Sequence, residues 1–476
     1  PALATTIVTL IGGSRPLAAI VLFTVLLIQF SAGITLVRAT NILRDEVDPW
    51  PLTAAGALSG SLLATAADQL VVSSLGSNHI FGWLWCLPLL LVTMLGATST
   101  AVRRPDTRAP LQSALRVSAI ALAAMAYDLI WSLAAAGAMY AAVLAIDQAR
   151  VRHRARSAMG GAVSVLLLLA SVHGRPLIRE LPDDRFLARL ISSLGTWGFE
   201  TNPLALGTPL RYHWGSYALL GLTSRVTGTN SRDAVQIVAP AIGGILLALI
   251  ALAVVRARHG VISRAALAAG LAALCDTARL TGRGRGFHLG WFESPSQVFA
   301  IALTGMIFVF LRDVPRERLL RPAAVTLTLG LVAAAVSVKV STSFVVGGMT
   351  ITWAVLHRRS RAAMGAAGLM CGVIALAARA FAPSGGAATS LRRPYWPVDL
   401  HRDLWRWYVG PWWQWLLVIL LLSLALNAST VFAVADGVHS WWRHRARGQE
   451  SALLLGALLG SIALTIAVPD FENSLY

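Results

Sequence analysis

The sequence predicts an all-α, polytopic integral membrane protein with about 14 transmembrane helices. Three observations carry this. Hydrophobic residues make up 56% of the 476 positions and charged residues 13%, with a mean hydropathy of +0.66, outside the range of an ordinary soluble domain. Apolar runs recur at close to the length needed to cross the hydrocarbon core of a bilayer. The basic residues behind the net charge of +18 stand in short clusters between those runs, as they do in membrane proteins. No polar domain gathers them, so the charge is not read as a nucleic-acid surface.

In chain order, residues 1–13 are apolar but short. Spans are expected near 16–37, 51–71, 82–101, 111–127, 130–148 and 158–173. Asp128 marks a tight turn between the fourth and fifth. After a long polar excursion come spans near 235–256, 263–277, 295–311, 322–338, 342–357, 363–382, 412–435 and 451–468. Arg clusters at 103–108, 150–156, 256–264, 312–321, 358–361 and 443–447 alternate with them and assign those turns to the cytoplasm. Loops 174–234, 278–294 and 383–411 then share the opposite, outer side. The acidic run Arg44 to Asp48 falls on the cytoplasmic side and reads as a solvated turn. The natural division is an N-terminal transmembrane bundle, 1–150, and a module over 157–476. The chain opens on Pro1 and closes on Tyr476 just after a span, so it is expected to be a fragment of a longer protein. Cys86, Cys275 and Cys371 lie in or beside apolar runs without CxxC spacing and read as buried thiols.

The most informative stretch is Leu181 to Trp214. It opens with Pro182 and the acidic pair Asp183 and Asp184. Phe186, Leu187, Leu190, Ile191 and Leu194 then recur at the spacing of one helix face, with Arg185 and Arg189 off it. A Gly-containing turn, 195–207, leads to a second amphipathic segment beginning at Tyr212, His213 and Trp214. Helices of this composition suit the plane of a membrane surface, so the acidic pair is expected at the rim of the bilayer between two interfacial helices.

These residues resemble the first outer loop of the GT-C superfamily of membrane glycosyltransferases. The closest likeness is the branch of protein O-mannosyltransferases and aminoarabinose transferases. The parts correspond as an acidic pair (Asp183-Asp184), a helix (Phe186 to Leu194), a Gly turn (Gly195), the stretch Gly207-Thr208-Pro209-Leu210-Arg211-Tyr212, a second helix (Ala218 to Arg225) and a span (Ile237 to Val255). The likeness is one of order and spacing. It departs from the family in one respect: several spans precede the loop here. The resemblance implies a GT-C-like module in a bacterial inner membrane. Its donor would be a polyprenyl-phosphate sugar, and its acceptor an envelope glycan, lipid or protein.

Such a transfer needs a base, cations for the leaving phosphate, and access from both membrane and water. A partly desolvated carboxylate suits the first need, and Asp183, with Asp184 orienting it, is the expected catalytic pair. An Asp before a helix also caps it, and the two roles are compatible. A second acidic site is expected at Asp276, at membrane depth, or at Glu293, which could equally compensate a helix N-terminus. Between them Arg279, Arg283, Arg285 and His288 are interleaved with glycines, a composition suited to a carrier phosphate. Lys339, the single lysine, stands near the outer end of a span as a snorkelling side chain or a phosphate contact. Tyr212 and His213 stand where a substrate hydroxyl could be held, or in an aromatic belt. The cationic aromatic strip 392–408 reads as an interface girdle or as a sugar-stacking wall. No cofactor is expected. Two aspartates and a distant carboxylate could hold a hard divalent ion, but no HExxH-type ligand pair is present. The rival readings are a transporter or flippase of lipid-linked intermediates, which would favour charges inside spans, and a non-catalytic scaffold of an envelope assembly complex.

Overall fold

A computed structural model describes residues 16–43, 49–75, 83–99, 184–199, 214–239, 295–381 and 448–467, with parts of 242–254. Among them every regular element is helical. We label them α1 (Pro16–Thr40), α2 (Pro49–Leu75), α3 (Cys86–Ser99), α4 (Asp184–Trp197), α5 (Gly215–Thr227), α6 (Pro295–Asp313), α7 (Pro322–Val338), α8 (Thr342–Leu356), α9 (Arg361–Phe381) and α10 (Gly448–Ala467). Pro295 and Pro322 open their helices, where a missing backbone N–H leaves no bond unmade. A π-helical turn, Ala234–Val238, follows the short helix after α5.

Among the described residues three helices are long and apolar enough to cross a membrane: Pro51–Leu75, Pro295–Asp313 and Arg361–Phe381. Shorter apolar helices occupy Thr24–Thr40, Cys86–Leu95, Pro322–Val338, Thr342–Leu356 and Ala452–Ser461. The described residues are thus all-helical, with helices able to span a membrane. The spans expected over 111–127, 130–148, 158–173, 263–277 and 412–435 lie outside the described residues.

Helices in lipid gain little from hiding apolar surface from one another, so close backbone approach carries their association. Two pairs show this. A Cβ on Gly33 of α1 would stand 1.8 Å from the Gly56 carbonyl oxygen of α2, and one on Gly60 equally close to that of Gln29. In α8 and α10, a Cβ on Gly348 would stand 2.1 Å from the Gly456 oxygen, and one on Gly460 the same distance from that of Phe344. The large core joins α1, α2, α4, α5, α6, α7, α8, α9 and α10 around Leu190, Ile191, Leu220, Met306, Phe310 and Trp353.

Side-chain contacts sort the helix ends. Arg312, closing α6, donates to Glu450 at the start of α10 (3.3 Å) and to the Ala253 carbonyl (3.5 Å). Gln449 donates to the Leu311 carbonyl at 2.7 Å. At the other end Lys339, following α7, donates to Gln297 in the first turn of α6. A Cβ on Gly215, opening α5, would lie 2.8 Å from Oγ of Ser337. Trp214 stacks on Phe199 (centroids 5.4 Å apart) and meets the edge of Phe381, which closes α9, at 5.5 Å. Gly198 abuts Ser73 of α2. Arg312, Arg316, Arg318, Arg321, Arg358, Arg359 and Arg361 therefore belong to one end, called the basic end below, with the start of α10. The Phe199, Trp214 and Lys339 neighbourhoods belong to the other.

Candidate functional site

The helix expected after the acidic pair is α4. Leu187, Leu190, Ile191 and Leu194 are buried along one side, while Arg185, Arg189 and Ser192 are exposed along the other, the pattern their spacing predicts. Gly198, at φ +76°, turns the chain out of the helix. The second helix, α5, ends on Gly228 in the left-handed conformation with Arg225 in its last turn, a favourable C-terminal arrangement. It differs from the surface helix expected there. Ser216 through Thr223 are buried without a break, because α4 covers one side of it and α2, α1 and α6 take the others. Gly195 and Gly221 let α4 and α5 close to backbone contact: a Cβ on Gly221 would lie 2.8 Å from the Ile191 carbonyl oxygen. An amphipathic helix of this kind meets either lipid or protein with its apolar face, and here protein takes it.

Of the residues singled out for chemistry, Asp184 is described as the first residue of α4. Asp183, Tyr212, His213, Asp276, Arg279, Arg283, Arg285, His288 and Glu293 lie outside the described residues, as do 44–48 and 392–408. Lys339 is described and does not snorkel. It is 8% exposed, stands in extended backbone as the C-cap of α7, and donates to Oε1 of Gln297. Thr342 closes the turn beneath it, its hydroxyl donating to the carbonyls of Ala335 (2.8 Å) and Lys339 (2.7 Å). Its neighbours hold the ammonium inside the bundle, so it cannot reach out along the membrane surface.

The structure adds a site that the sequence reading passed over. Asp68 lies within Pro51–Leu75, a helix long and apolar enough to cross a membrane, with its side chain fully buried. The guanidinium of Arg225, from the end of α5, donates to its Oδ1. The next residue, Gln69, donates through Nε2 to the Leu194 carbonyl in the last turn of α4 at 3.1 Å and reaches Oδ2 of Asp68 at 3.5 Å. Ser61, Thr65, Asp68, Gln69 and Ser73 continue one face of α2 at helical spacing. Ser61 in turn donates to Gln29 of α1 at 3.4 Å. Ionisable groups at membrane depth are expensive and mark function by default. The local signal was Asp-Gln inside an apolar run; the partner, 157 positions away, had none.

Fold and geometry thus define a helical bundle with candidate membrane spans and buried polar groups among its described residues. Comparison with family models, curated proteins and solved structures found no match to the chain. Among the described residues no group of three or more His, Cys, Asp or Glu could hold a metal ion; Asp183, Asp276 and Glu293 are not among those residues.

Proposed function

We propose that the chain is a membrane glycosyltransferase of GT-C type. It takes a sugar from a polyprenyl-phosphate donor at the outer face of a bacterial inner membrane, with Asp183 or Asp184 as general base. The observation that carries the reading is the mounting of α4. A helix described from Asp184 onward is fixed by its whole apolar side to α5 and the bundle, with its C-terminal end away from the basic end. A base must be held to within a fraction of an ångström of its substrate to be effective, and a helix packed in this way is a rigid mount. By the positive-inside rule the basic end is cytoplasmic. The acceptor is an envelope glycan, lipid or protein. Asp276 or Glu293 would furnish a second carboxylate, and Arg279, Arg283, Arg285 and His288 the contacts to carrier phosphate. Tyr212 and His213 would hold a substrate hydroxyl. Buried Lys339 would add positive potential at the same end rather than touch the phosphate from the surface.

The test is transfer by the purified full chain in lipid, with radiolabelled polyprenyl-phosphate sugars and membrane-extract acceptors. Asp183→Asn or Asp184→Asn should lower the rate by about 10²–10⁴-fold while thermal stability holds, since the amide keeps the shape but cannot accept the proton. Transfer at the unmodified rate by the double variant would refute the site. A second reading, a flippase of lipid-linked intermediates, is favoured by one observation: the Asp68–Arg225 pair inside a span. Its signature is movement of intact lipid-linked sugar across vesicles with no glycosidic bond broken.

A further inference from the structure

We propose that Asp68, Gln69 and Arg225 form a polar latch within the membrane that sets the register of the α4–α5 hairpin on α2. Through α4, which opens on Asp184, this makes Asp68 and Arg225 positioning residues for the pair Asp183-Asp184. The catalytic part of this proposal rests on the glycosyltransferase reading; the latch itself does not. Most of what holds α4 is non-directional. Leu187, Leu190, Ile191 and Leu194 are buried, but apolar contacts of this kind tolerate a shift along or around the helix. The contact with α5 includes a backbone-to-backbone approach at Gly195 and Gly221, which carries no directional bond.

Directional contacts from α2 come from two adjacent residues. Asp68 holds the end of α5 through Arg225. Gln69 caps a carbonyl in the last turn of α4. Ser73, one turn further on, abuts Gly198, whose φ of +76° redirects the chain. Asp68 and Gln69 bind the two arms of the hairpin to one turn of a single helix. An apolar pair of the same volume would pack at this depth with less desolvation, so an ion pair here is explained by the single arrangement it enforces. An arrangement that is 1 Å wrong is enough to slow a positioned reaction by about 10²-fold.

The experiment uses the full chain in lipid nanodiscs, with its cysteines replaced and spin labels at Arg189 and Leu70, both exposed. Double electron–electron resonance reads the distance between α4 and α2. Asp68→Leu and Arg225→Leu should each broaden that distribution. Each should also lower kcat about 10²-fold while KM for the lipid donor stays within about twofold, since uniform binding is untouched. The exchanged pair, Asp68→Arg with Arg225→Asp, should narrow the distribution again and recover turnover, which a merely space-filling role would not give. Unchanged distributions in both single variants overturn the latch. So does an exchanged pair that stays as broad as the singles. Should the singles fail to fold, the exchanged pair decides: folding supports pairing, failure refutes it. If the unmodified chain transfers no sugar from any donor, the enzyme reading falls while the distances still decide the latch.

Discussion

The ammonium of Lys339 donates to the side-chain oxygen of Gln297, joining the end of α7 to the first turn of α6 across 42 positions of sequence. The only lysine of the chain is thereby a tie inside the bundle. Lys339→Met keeps much of the stem's volume and removes the donor. It should lower stability by about 1.5–3 kcal/mol, the range for a hydrogen bond with a charged partner, measured by thermal unfolding in detergent. Lys339→Arg should not restore it, because a planar fork cannot occupy the place of a compact ammonium.

Arg312 is held on more sides. Its Nε and Nη2 donate to the two oxygens of Asp313 at 2.7 Å each, and Nη1 to Glu450 at 3.3 Å. Its guanidinium carbon lies 5.1 Å from the centre of the Phe308 ring. Only a planar, forked cation meets all of these at once. Arg312→Lys should therefore cost about 1.5–3 kcal/mol in unfolding measurements. Glu450→Gln should cost less than about 1 kcal/mol, since that carboxylate is half exposed.

The glycines separate by what a methyl group would meet. At Gly460 a Cβ would lie 2.1 Å from the Phe344 carbonyl oxygen, whereas at Gly368 of α9 nothing stands within 4 Å. Gly460→Ala must push α8 and α10 apart and should lose about 1–3 kcal/mol. Gly368→Ala should be neutral or gain up to about 1 kcal/mol from helix propensity. Equal effects at both sites would contradict the close contact of α8 with α10.

Sidedness follows from the collection of Arg316, Arg318, Arg321, Arg358, Arg359 and Arg361 at one end. In a cysteine-free background, Arg359→Cys should react with an impermeant thiol reagent only after lysis of the cells. Asn202→Cys, between α4 and α5 in sequence, should react in intact cells. The reverse pattern would move the acidic pair to the cytoplasmic side and remove the case for an outer-face transferase.

Composition and apolar run length determined that the chain carries apolar helices of membrane-crossing character, and they located α1, α2, α6, α7, α8, α9 and α10 to within a few residues. The spacing of Leu187, Leu190, Ile191 and Leu194 determined that α4 is amphipathic. These are local properties: hydropathy over a window, and 3.6 residues per turn. What α4 lies against was not local. An apolar helix face is satisfied by lipid or by protein alike, and only the folded arrangement gave α4 to α5 and buried α5 through Ser216–Thr223. The same holds for Asp68 and Lys339. A charged residue in or beside an apolar run shows that some partner is needed, because a charge leaves water only against one. Which partner it meets, Arg225 or Gln297, depends on which helices pack together, and that is decided by glycine contacts such as Gly195 with Gly221, where the absence of a side chain matters only when another backbone arrives to fill the space.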